Sequence, residues 1–147
     1  MYFVLLKEII LKGIQKMQKV KQQIARHLEQ ARETRNDIRN KMITNLQDCS
    51  SSECGRYAIE QGALLYIQEH LVSLYEGLYR HIEYAIEQDV DFDVFIDLAL
   101  MDVFTDIRHY SNGSYNGSTA LTNYGDLKAL DKVSRVLEQI KKTYKKV

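Results

Sequence analysis

Apolar residues in the first third of the chain recur at Ile10, Ile14, Met17, Ile24, Leu28, Ala31, Ile38 and Met42. These steps of four and three residues are the spacing of an amphipathic helix with a coiled-coil-like seam. The pattern predicts one helix over residues 2–47, of which Tyr2 to Leu46 would span about 65 Å at 1.5 Å per residue. Two seam positions hold Lys21 and Arg35 instead of apolar residues. Polar seam residues lower stability but select register and partner. Gly13 and the Thr34–Asp37 stretch are the places where such a helix is expected to bend.

After a short polar run rich in turn and capping residues, Asp48 to Gly55, the periodicity resumes. Leu64, Ile67, Leu71, Leu74, Leu78, Ile82 and Ala85 predict a second helix over 56–88, antiparallel to the first because the connection is short. A third helix is expected over 93–110. It is apolar nearly all round, with Val94, Phe95, Ile96, Leu98, Leu100, Met101, Val103, Phe104 and Ile107, and so is expected to be the most buried. Glycines, asparagines and serines crowd residues 111–125 and predict a loop. Leu130, Val133, Leu137, Ile140 and Tyr144 then mark a last helix over 126–146. The expected fold is a single all-α domain spanning 1–147, an antiparallel bundle of about four helices with a long amphipathic N-terminal helix.

Composition supports this reading. The sequence has no proline, the residue least tolerated inside helices, and ten tyrosines with no tryptophan. The formal net charge is zero, which excludes a general polyanion binder of strongly basic pI. Lys7 and Glu8 interrupt the apolar opening MYFVLLKEIILKGIQ well short of the roughly 20 apolar residues of a membrane span, and no basic leader region precedes it. A cytoplasmic protein with no membrane association is therefore expected, with Cys49 and Cys54 as free thiols.

Charge is segregated along the chain. Residues 2–47 hold ten basic against four acidic side chains, a net of +6, whereas residues 83–106 hold eight acidic and no basic ones, a net of −8. Attraction between the two segments, within one chain or between chains, is expected.

Chemical motifs are sparse. Asp89, Asp91 and Asp93 open like a calcium-binding EF-hand loop, but Val94 stands where its glycine is needed and Leu100 where its bidentate glutamate is needed, so helix capping is the expected role. Asp102, Asp106 and His109 share a helical face that would suit a metal or a general base. No second ligand pair accompanies them, so pairing with lysines is expected instead. The cysteines lack the second pair of a zinc site. Asn112 and Asn116 each start an Asn-Gly-Ser acceptor triplet, which has meaning only in a secreted chain. Arg108 with Ser118 and Thr119 lacks the Gly-Lys-Ser/Thr ending of a phosphate-binding loop.

The expected function is thus non-enzymatic protein–protein interaction, as an adaptor, inhibitor or small subunit of a larger assembly, with no cofactor and no metal. The partner is another protein or a second copy. The partner seam is Ile10, Ile14, Met17, Lys21, Ile24, Leu28, Arg35 and Ile38. An alternative is an RNA- or DNA-associated subunit that uses basic rows of helices one and four, with Lys12, Lys16, Lys19 and Arg26 as candidate phosphate contacts. The third expectation, a metal-dependent enzyme using Asp102, Asp106 and His109, ranks last.

Overall fold

The computed structural model describes residues 2–47, 53–111 and 120–145. Four helices follow in order: α1 (Tyr2–Gln47), α2 (Glu53–Glu87), α3 (Phe92–Ser111) and α4 (Ala120–Tyr144). No strand occurs among the described residues, and the helices pack on one another as an all-α bundle.

Helix α1 runs unbroken for 46 residues, about 69 Å, through Gly13 and Thr34. Thr34 bonds back to the Gln30 carbonyl through its hydroxyl (2.9 Å), so its polar group does not compete with the helix. Helix α2 lies antiparallel to α1. Its other side faces α4, which also packs on α3, while α1 and α3 meet only at one end. The core holds Val20, Ile24, Leu71, Tyr75, Ile82, Ile96, Leu130, Val133, Leu137 and Ile140, all nearly inaccessible. Helix α3 is therefore not the most buried helix. Val94, Leu98, Met101 and Phe104 remain exposed on its outer side, because α4, and not a surrounding ring of helices, covers it.

The α2–α3 turn shows how the three aspartates are used. Val90 N–H bonds to Ala85 O (2.9 Å) and Asp89 N–H to Ile86 O (3.2 Å), with Asp89 in the left-handed region at φ 53°. This is a Schellman stop to α2. Asp91 precedes α3, and Asp93 lies in its first turn, where a carboxylate faces the positive end of the helix.

Helix α4 starts at Ala120, six residues before the expected Asp126. Thr122, Asn123 and Gly125 are poor helix formers, but tertiary packing overrides them. Gly125 lies against α2 so closely that a Cβ there would fall 2.5 Å from Tyr66 Cδ1.

Candidate interaction surface

The four helices differ in length, so the bundle leaves part of α1 uncovered. Lys16 lies over the Phe92 ring (5.3 Å to the centroid), and a shallow groove between Ile9, Ile10, Gly13 and Ile14 on one side and Ile86, Val90 and Phe92 on the other marks where α2 ends and α3 begins. Beyond that level α1 continues alone. Tyr2, Phe3, Val4, Leu5, Leu6, Ile9, Ile10, Leu11 and Ile14 are all exposed, from 41% at Leu6 to 81% at Phe3. A helix apolar on nearly all sides is ordinarily enclosed by other apolar groups. A contiguous apolar surface of this kind marks an interaction site on a folded protein.

The expected seam divides at this level. Met17, Ile24 and Leu28 are buried in the chain's own core, and Ile38 is half-buried. Those four are covered or partly covered within the chain, chiefly on the side that α2 packs against, so the surface open to a partner is narrower than the seam and begins with Ile10 and Ile14. Lys21 approaches Glu83 of α2 (3.9 Å) and lies over the Tyr79 ring. Arg35 donates from Nε to the neighbouring Asn36 (3.3 Å).

Basic residues on α1 fall into two groups. Arg32 pairs with Glu76 (3.1 Å), and Arg39 pairs with Glu69, tying α1 to α2. Lys7, Lys12, Lys19 and Arg26 are exposed and form no ion pair among the described residues. On the acidic side, Asp97 is held by Lys141 (2.9 Å) and Lys145 (3.6 Å) of α4. The Lys141 hydrogen bond lowers the Asp97 pKa below the ordinary carboxylate value and raises that of Lys141. Among the described residues, the opposite charges of α1 and residues 83–106 therefore form an ion pair only at Lys21 and Glu83, because α1 and α3 barely touch.

Asp102, Asp106 and His109 all lie on α3. His81 of α2 lines a groove with Asp102 and Asp106, while His109 is exposed one turn further along α3. Among the described residues no group of three or more His, Cys, Asp or Glu side chains is arranged to hold a metal. Cys54 is disulfide-bonded, which corrects the expected free thiol; Cys49, the other cysteine of the sequence, lies outside the described residues. Asn112, Asn116, Ser118 and Thr119 lie outside them too.

Sequence reasoning missed a buried polar cluster. Asp126, 3% exposed, accepts a hydrogen bond from the Tyr66 hydroxyl (2.8 Å) and lies 3.6 Å from His70 Nε2, with the Tyr66 and His70 rings stacked. The i, i+4 spacing of Tyr66 and His70 was available as a signal, but nothing in the sequence pointed to Asp126 as its partner. The cluster joins α4 to α2. No family model, curated protein or solved structure matches this chain. No helix is long and apolar enough to cross a membrane among the described residues.

Proposed function

We infer that this chain is a non-enzymatic protein–protein interaction protein, an adaptor, inhibitor or small subunit, whose long basic N-terminal helix is its docking element. The observation that carries this reading is the run of nine exposed large apolar side chains between Tyr2 and Ile14, on a helix whose middle is locked into the core. The rigid middle positions the free end, so docking costs little ordering entropy.

Light scattering and small-angle scattering, together with purification from the native host, test this on the wild type and on Phe3→Glu/Leu6→Glu. Association, with self or with another protein, is expected for the wild type and lost in the variant. A wild-type protein that is monomeric with nothing bound, or a variant that associates equally well, overturns the reading.

A nucleic-acid role draws support from Lys12, Lys19 and Arg26, which stand seven residues apart, exposed and unpaired. The basic row of α4 supports it less, since Lys141 and Lys145 are engaged by Asp97. Binding to RNA or DNA would fall steeply with salt. No binding at low salt ends this alternative.

A cytoplasmic location belongs to the same reading, and the Cys54 disulfide supplies its test. A reducing compartment opens such bonds. Alkylation of intact host cells labels Cys54 only where the compartment has opened that bond, and an unlabelled Cys54 counts against the cytoplasm.

A further inference from the structure

We propose that the exposed end of α1 docks on the outer face of α3 in a second copy of this chain, and reciprocally, so that a two-fold dimer forms. This deepens the reading of α1 as a docking element and rests on it.

Two unpartnered apolar stripes occur on the one chain. On α1, Phe3, Leu6, Ile10, Gly13 and Met17 continue the core-facing stripe beyond the end of the bundle in steps of three and four. On α3, Val94, Leu98, Met101 and Thr105 form an outward stripe in steps of four and three, with the three apolar members each about half exposed. Stripes of this spacing interdigitate as helix–helix seams. Their lengths agree, since Phe3 to Gly13 rises about 15 Å and Val94 to Thr105 about 16 Å.

Their charges are opposite. Lys7 flanks the α1 stripe, while Lys12 and Lys19 lie on the far side of that helix; Asp91, just before α3, and Asp102 lie along one edge of the α3 stripe, with Asp106 behind them. None of these six has an ion-pair partner among the described residues. Complementary charge of this kind favours one partner and suppresses others.

The two surfaces cannot meet within one chain. Helix α3 starts beside Lys16 and runs in the same direction as α1, whereas the free end of α1 extends the opposite way from that point. A second copy turned end for end places its own free α1 segment along the first copy's α3 stripe, antiparallel to it. The same rotation delivers the first copy's segment to the second copy's stripe, which closes the assembly.

The test is light scattering on the full chain with four variants, each checked for unchanged helicity by circular dichroism: Phe3→Glu/Leu6→Glu, Leu98→Glu/Met101→Glu, Lys7→Glu and Asp102→Lys/Asp106→Lys. The wild type is expected at twice the chain mass, and each variant alone at the single-chain mass. Mixing the last two is expected to restore a 1:1 dimer, because each then offers the other a complementary pair of surfaces. A structural defect would not be rescued by mixing. A Leu98→Glu/Met101→Glu variant that dimerises normally, beside a Phe3→Glu/Leu6→Glu variant that does not, overturns the docking on α3 while leaving α1 as the interaction element. A monomeric wild type that binds phosphatidylcholine–phosphatidylserine vesicles, or another protein, through Phe3 and Leu6 also overturns it.

Discussion

The Tyr66 hydroxyl donates a 2.8 Å hydrogen bond to Asp126 across the α2–α4 interface, and this carboxylate is almost wholly shielded from water. A buried carboxylate without enough donors is costly, so the bond is a condition for α4 to dock where it does. Tyr66→Phe removes that donor and leaves His70 Nε2 3.6 Å from the carboxylate. A loss of about 1–3 kcal/mol is expected in urea denaturation. Tyr66→Phe combined with Asp126→Leu is expected to recover most of it, since the pair is then replaced by apolar groups.

Gly125 stands one residue before that carboxylate. A Cβ would lie 2.5 Å from Tyr66 Cδ1 and 2.9 Å from Cε1, on a ring that is itself held by its hydrogen bond and by the stacked His70. Gly125→Ala is therefore expected to destabilise by about 1–3 kcal/mol despite the better helix propensity of alanine, because overpacking outweighs a gain of about 1 kcal/mol. Gly62→Ala, in the same helix as Tyr66 with no atom near its missing Cβ, is the control and is expected to stabilise.

Alkaline pH should act through two tyrosines. Burial, and for Tyr66 also the hydrogen bond to Asp126 and that residue's charge, pushes the phenols of Tyr66 and Tyr75 up to about 12 from the ordinary 10.0. A phenol that ionises later in the folded state than in the unfolded one favours folding below pH 10. That contribution is lost as the pH rises through 12, because between these values the unfolded chain releases protons first. Denaturation midpoints are expected to fall steadily between pH 10 and 12, and the phenolate absorbance of Tyr66 and Tyr75 to appear only near the upper end. Tyr66→Phe should flatten the midpoint curve.

Asp89 ends α2 with φ 53°, a conformation that glycine adopts without strain. No ion pair depends on its side chain among the described residues. Asp89→Gly is expected to raise stability by up to about 1 kcal/mol in the same denaturation assay. An unchanged or lower midpoint would show that the carboxylate has a role beyond the turn.

Much of this protein is written in local periodicity. The three- and four-residue steps from Ile10 to Met42 and from Leu64 to Ala85 determine long helices by themselves, because each apolar side chain needs only its neighbours three and four residues away to define a face. The end of the α1 seam was legible as apolar in the opening MYFVLLKEIILKGIQ. Three things were decided only by the tertiary structure. Whether Met17 and Ile10 share one fate depends on where α2 stops and α3 starts, so the first is core and the second is surface. Helix α3, apolar all round in sequence, has an open side because its neighbours number too few to enclose it. The first turns of α4, with their glycine and asparagine, are helical because Tyr66 lies 60 residues away in sequence yet in contact with them. Periodicity reports which side of a helix is apolar. Which apolar sides are covered depends on the relative lengths and order of packing of all four helices, and that is a property of the assembled fold.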